Sequence, residues 1–232
     1  MRRINRLKAV ANMVIKGAKV ADIGADHAQL SVYLIEQQIS PRVIIGELGD
    51  GPFARSCQAI EACGLQNSIE LRQGSGLQVL DSGEVSTVVL AGMGGDTMVE
   101  ILADDWDKAA SFLRFVFQPM SKAEVLRRRL ASRGWIISEE RLVAENGRVY
   151  LVMSIRPAHC PYHLTDLEFA LGPKILKADN DIKKHYIQAG VQNYQQIEQQ
   201  LRQSPLRRHQ VEAQDYQDKI RRLEEIERGS QS

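Results

Sequence analysis

Four short stretches of this chain carry residues whose types and spacing could do chemistry. The first is Asp22-Ile23-Gly24-Ala25-Asp26-His27. Gly24 lets a ligand approach the backbone closely, and Asp22 and Asp26 bring negative charge to it. Asp26 stands where a glycine-rich phosphate loop has its second glycine, and a carboxylate there repels a pyrophosphate but suits a cation. That argues against NAD and for S-adenosylmethionine, whose sulfonium and amino group are positive. The second stretch is Gly46-Glu47, where an acidic residue can accept hydrogen bonds from both ribose hydroxyls. Gly74-Ser75-Gly76-Leu77, the third, could form a small-residue wall with a polar contact to adenine. In the fourth, Ala91-Gly92-Met93-Gly94-Gly95, the glycines are costly unless a ligand or a tight turn needs backbone room. Together the four predict a nucleoside-cofactor site.

Such residues must be delivered by the carboxyl ends of strands in an open sheet. Short apolar runs predict strands over 20–23, 42–46, 69–72, 86–90, 114–118, 135–142 and 149–155. Helices are expected through Leu30–Ile35, from Pro52 to Cys63 with a stop at Gly64, and from Lys122 to Ser132 with a stop at Gly134. This alternation is the pattern of an α/β doubly wound, mostly parallel sheet. The last two strands are joined through Asn146-Gly147, a hairpin turn, so the sheet should end in an antiparallel pair.

Beyond Thr165 the texture changes. Thr165-Asp166-Leu167-Glu168 reads as a capping box, and Gly172-Pro173 halts the helix it starts. Tyr186, Gly190, Tyr194, Ile197 and Leu201 make one helical stripe; Ala213, Tyr216, Ile220, Leu223 and Glu227 make another. Ser204-Pro205 reads as the start of the second helix. The prediction is two domains, 1–160 for the α/β sheet and 161–232 for an antiparallel coiled-coil hairpin.

Composition narrows the partners. With 30 Lys+Arg against 29 Asp+Glu the net charge is +1, so nucleic acid would have to be held by local patches. Arg2, Arg3, Arg6 and Lys8 open the chain, Arg127, Arg128, Arg129 and Arg133 crowd one helix, and Arg207 and Arg208 follow the hairpin turn. The three cysteines show no zinc spacing and the five histidines no paired ligand spacing, so no metal is expected. No window is apolar enough to span a membrane, and the basic start lacks a cleavage site. A soluble, cytoplasmic protein, monomeric or weakly dimeric, is the expectation.

Read together, Asp22-Ile23-Gly24-Ala25-Asp26-His27-Ala28, Gly46-Glu47, Gly51-Pro52, Ala91-Gly92-Met93-Gly94-Gly95, Gln118-Pro119 and Gly172-Pro173 resemble the bacterial tRNA (adenine-22-N1)-methyltransferase family. The likeness runs over nearly the whole chain, the helical hairpin included. It implies a Rossmann-like class I methyltransferase sheet, S-adenosylmethionine as cofactor and N1 of a tRNA adenine as acceptor. By that resemblance Asp22, Gly24 and Asp26 line the methionine side of the cofactor, Glu47 holds the ribose, and Gly74, Ser75 and Gly76 border its adenine. Ala91, Gly92 and Met93 floor the cleft. Asp26, then His27, are the candidates for stabilising the cation that forms on the methylated base, and the basic clusters are the candidates for holding tRNA. The chain has Gln29 and Met120 where members commonly have tyrosine and asparagine, and Ser75 where they have an acidic or amide residue. The residues alone also leave open a class I methyltransferase acting on another RNA position or another substrate.

Overall fold

Strand register decides which residues meet, and the computed structural model describes residues 4–178 and 181–229. Contacts divide the chain into two units, Met1–His163 and Leu164–Ser232. In the first, Val20–Ile23 (β1), Val43–Glu47 (β2), Ile69–Gln73 (β3), Thr87–Gly94 (β4), Arg114–Ser121 (β5), Ile136–Glu145 (β6) and Arg148–Arg156 (β7) form one sheet. Its order is β3-β2-β1-β4-β5-β7-β6. The five strands from β3 to β5 run parallel, while β7 is antiparallel to β5 and to β6. Asn146 and Gly147 both take positive φ in the turn between β6 and β7, as a two-residue hairpin requires.

The central strands are apolar because both faces are covered. Val20, Ala21, Val88, Val89 and Val116 are fully buried, and β1 lies between β2 and β4 with Asp22 opposite Ile45 and Val89. Chain order reverses between β1 and β4, which makes their carboxyl ends the switch point where ligands bind in open sheets.

Helices cover the sheet: Ile4–Ala11 (α1), Gln29–Glu36 (α2), Asp50–Cys63 (α3), Gly95–Ala103 (α4), Trp106–Ala110 (α5) and Ala123–Ser132 (α6). Three features differ from the sequence reading. First, α1 was not anticipated; its Ala9, Val10 and Ala11 are buried, and it packs beside β6. Second, the strand expected over 86–90 does not stop before the glycines of Ala91–Gly94. β4 runs on through them, with register shifts around Met93 and Gly92 at φ +80°. Only glycine enters that conformation cheaply, so the ladder can kink there. Third, Arg127 does not belong to a solvated basic face. It is fully buried, and its Nε donates to Glu140 Oε1 at 2.8 Å, because its position on α6 faces the sheet.

In the second unit Thr165 caps Asp166–Leu171 (α7) through the expected reciprocal bonds with Glu168. Gly172, at φ +107°, ends that helix, and Pro173 begins the short Pro173–Leu176 (α8). Asp181–Arg202 (α9) and Arg207–Gly229 (α10) pack together as a helix pair, each about 33–35 Å long at 1.5 Å per residue. Leu171, Ile187, Val191 and Leu223 form its core, with Tyr186, Tyr194, Ile220 and Ile226 packed around them. The seam uses Ile226 where the sequence stripe used Glu227; Glu227 instead accepts a bond from Gln188 Nε2 at 2.6 Å. The second long helix starts at Arg207, two residues past Pro205.

Candidate active site

The loop after β1 is wound tightly. Gly24, Asp26 and Ala28 take φ of +74°, +56° and +52°, two of them at residues that bear side chains. Such left-handed backbone is costly for non-glycine residues and persists only where neighbours fix it. Here Gly24 N donates to Gly46 O at 2.8 Å, His27 N to Ala25 O at 2.7 Å and Asp26 N to Glu47 Oε1 at 2.5 Å. The carboxylate of Glu47 thus ties the end of β2 to the loop after β1.

Beside this loop opens a cleft of about 350 Å³. Asp22, Gly24, Asp26 and His27 line one side, and Ala91 and Gly92 from the kinked end of β4 line another. Arg6, Leu7 and Val10 of α1 close it. A Cβ on Gly24 would lie 2.2 Å from Met93 Cε, so Met93 packs directly over the loop and its flexible end would have to swing aside for a side chain there.

The three carboxylates differ in their surroundings. Asp22 is 3% exposed; burial pushes its carboxyl up to about 6, against one hydrogen bond from Ser31 Oγ at 2.8 Å that lowers it and the charge of Glu47 that raises it. Asp26 is exposed, and the Arg55 guanidinium from α3 holds its carboxyl below the ordinary range. Arg55 Nε donates to Asp26 Oδ1 at 2.9 Å, while Asp26 Oδ2 lies 3.4 Å from His27 Nε2. Glu47 is 4% exposed and also receives Ser56 Oγ at 3.4 Å.

Gly74, Ser75 and Gly76 do not line this cleft. They lie at the neighbouring strand end, where Gly74 N donates to Glu47 O at 2.9 Å. A Cβ on Gly74 would meet Val79 Cγ1 at 2.8 Å and one on Gly46 would meet Val79 Cγ2 at 2.7 Å, so these glycines let the ends of β2 and β3 close over Val79.

Residues 4–153 match the family model described as a methyltransferase domain. The tRNA (adenine(22)-N(1))-methyltransferase of Bacillus subtilis is 32% identical over 86% of this chain and 85% of its own. The chain belongs to the tRNA (adenine-22-N1)-methyltransferase family. Solved structures match over nearly the full length of the chain. The crystal structure of the B. subtilis M1A22 tRNA methyltransferase TrmK superposes with a TM-score of 0.84, at 28% identity, over 97% of this chain and 98% of that one. Streptococcus pneumoniae Sp1610 in complex with S-adenosyl-L-methionine gives 0.79 at 29% identity, over 95% and 97%.

The basic candidates of this family member separate by environment. Lys8, Arg207 and Arg208 are exposed. Arg128 is exposed and pairs with Glu124 one turn away, at 2.9 Å. Arg2 and Arg3 lie outside the described residues. Arg6 is in the cleft wall: its Nη1 donates to Gln118 Oε1 at 2.7 Å, and its guanidinium carbon lies 5.5 Å from the centre of the Tyr150 ring.

The roles of four positions escaped the sequence reading. Arg55 neutralises Asp26 from α3, and nothing in its spacing relates it to the first loop. Gln118 and Glu145, both buried, hold Arg6. Leu48, directly after Glu47, exposes 70% of its surface; a large apolar residue following the acid at a strand end was the signal available. Among the described residues no helix is long and apolar enough to cross a membrane, and no group of three His, Cys, Asp or Glu could hold a metal.

Proposed function

We propose that this protein transfers a methyl group from S-adenosylmethionine to N1 of adenine 22 in tRNA. The observation that carries the reading is the acidic, glycine-walled cleft at the switch point, in a chain matching an adenine-22 methyltransferase from the sheet through the helical unit. When bound, S-adenosylmethionine supplies a methyl group made electrophilic by a sulfonium.

The residues present fit that molecule. Gly24 and Gly92 leave backbone within reach, and Asp22 offers a buried carboxylate for an ammonium group. Glu47 has Oε1 engaged by Asp26 N and keeps Oε2 as the acceptor for ribose hydroxyls. Gly74, Ser75 and Gly76 border the adenine, against which Leu48 can set an apolar face. Ala91 and Gly92 floor the cleft, with Met93 packed against the loop after β1.

N1 of neutral adenine already carries a lone pair, so no base need remove a proton before attack. The work of the protein is to hold the acceptor in line and to exclude water. The methylated base is cationic, and Asp26, the exposed carboxylate of the three, has Oδ1 bonded to Arg55 and Oδ2 beside His27, which makes it the candidate to stabilise that charge. Extracting a base from a folded tRNA costs a few kcal/mol, so the RNA must be gripped away from the cleft. The exposed cations Lys8, Arg128, Arg207 and Arg208 supply that grip, and salt should weaken it. We place the activity in the cytoplasm, where tRNA is found.

The test is methylation of two unmodified tRNA transcripts that differ only by adenine or guanine at position 22, with the labelled nucleoside identified after digestion. The expected product is 1-methyladenosine in the adenine transcript alone. Label in both transcripts, or in another nucleoside, would overturn the site assignment and leave a methyltransferase of another RNA position.

A further inference from the structure

The cleft holds one arginine and no lysine among its described lining residues, and that arginine is pinned. Arg6 reaches from α1 across the ends of three strands. Gln118 on β5 accepts its Nη1 at 2.7 Å, Glu145 on β6 lies 3.8 Å from its Nε, and Tyr150 on β7 lies under its guanidinium. Gln118 and Glu145 are buried, so the side chain is held from behind, while 36% of it remains exposed. Its Nη2 has no hydrogen-bond partner among the described residues. A guanidinium fixed on one edge and open on the other is a preorganised fork for an oxyanion.

Two further observations identify the anion. The same cleft is also lined by the buried carboxylate of Asp22, whose one side-chain hydrogen bond comes from Ser31. A cleft with a buried acid and a pinned arginine complements an α-amino acid, which carries an ammonium and a carboxylate on one carbon. The loop beside it offers few competing donors, because the amides of Gly24, Asp26 and His27 are already bonded to Gly46, Glu47 and Ala25.

We infer that Arg6 binds the carboxylate at the methionine end of the cofactor, with Asp22 receiving the ammonium group. This deepens the reading that S-adenosylmethionine is the methyl donor and rests on it. It also removes Arg6 from the group of cations that hold tRNA.

Binding calorimetry tests it without turnover. The probes are S-adenosylhomocysteine and 5′-deoxy-5′-(3-aminopropylthio)adenosine, which keeps the amine and lacks only the carboxylate. The wild-type protein should prefer S-adenosylhomocysteine by tenfold or more. Arg6→Gln should bind the two within about twofold of each other, having lost affinity for the first and little for the second. Arg6→Lys keeps a charge opposite Glu145 and loses the fork, so it should fold normally and show an intermediate ratio. An unchanged preference in both variants overturns the assignment. So does an unchanged preference accompanied by weaker tRNA binding, which would give Arg6 to an RNA phosphate instead. A wild-type protein that binds neither probe would overturn the cofactor reading along with it.

Discussion

Replacing Asp22 with asparagine should make this protein more stable and less able to bind its cofactor. Asp22 lies in the central strand at 3% exposure, and its carboxyl is pushed from the ordinary 3.8 to about 6, chiefly by burial. The unfolded chain releases that proton near 3.8 and the folded chain only near 6. Relative to a side chain that does not titrate, the folded state is therefore favoured most below the lower value and loses ground as pH rises through the upper one. At 1.36 kcal/mol per tenfold change, the loss reaches about 3 kcal/mol by pH 8 and about half that at pH 5. Asp22→Asn keeps the shape and an acceptor for Ser31 Oγ while removing the charge. Urea unfolding should show the variant ahead of wild type by about 3 kcal/mol at pH 8, narrowing to about 1.5 kcal/mol at pH 5. Affinity for S-adenosylhomocysteine should fall at least tenfold. A stability gap that does not change with pH, or a variant weaker than wild type at pH 8, would refute the reasoning. Either result would mean that the buried carboxylate is compensated in the folded chain.

Gly24→Ala must place a side chain at φ +74° and against Met93 Cε, so it should cost about 1–2 kcal/mol and weaken cofactor binding. Adding Met93→Ala should relieve the collision and not the backbone cost; an alanine variant as stable as wild type would remove the argument. Arg127→Met strands the Glu140 carboxylate in the interior and should cost about 3–5 kcal/mol, most of it recovered when Glu140→Leu is added. In contrast, Arg128→Gln loses an exposed pair and should stay within about 1 kcal/mol of wild type by the same unfolding assay. Replacing Arg207 and Arg208 together by glutamine should leave stability unchanged and flatten the slope of log affinity for tRNA against log salt by about 1.5. An unaltered slope would show that neither arginine meets a phosphate.

Local chemistry made much of this architecture legible. Unbroken β-branched runs such as Val88-Val89 mark strands covered on both faces, Asn146-Gly147 marks the closing hairpin, and Thr165 with Glu168 marks a cap; each is fixed by neighbours in sequence. What stayed hidden depends on distant partners. Arg127 and Arg128 are indistinguishable as adjacent arginines on a helix, yet one turns toward Glu140 on β6 and the other toward solvent. Arg6 reads as part of a basic terminus because its partners Gln118, Glu145 and Tyr150 are more than a hundred residues away. The glycines of Ala91–Gly95 are legible as a demand for backbone room. That they bend a strand continuing past the expected 86–90 follows from pairing with β5, which no local pattern encodes.

The same distinction separates the two aspartates of the first loop. In sequence they are equivalent acids flanking Gly24, and both suggest a place for positive charge. In the fold, Arg55 already stands beside Asp26, which keeps that carboxylate ionised but locally balanced and bathed in solvent. Asp22 has no cation against it among the described residues, and it is buried. A charge without a partner in a low-dielectric site attracts an incoming cation far more strongly than a solvated, paired one. On the proposed function, holding a cationic cofactor therefore falls to Asp22, at a cost in stability that nothing else in the strand requires. The same proposal leaves Asp26 for a charge that exists only after the methyl group has moved, where a weaker and adjustable field suffices and does not bind the cationic product tightly.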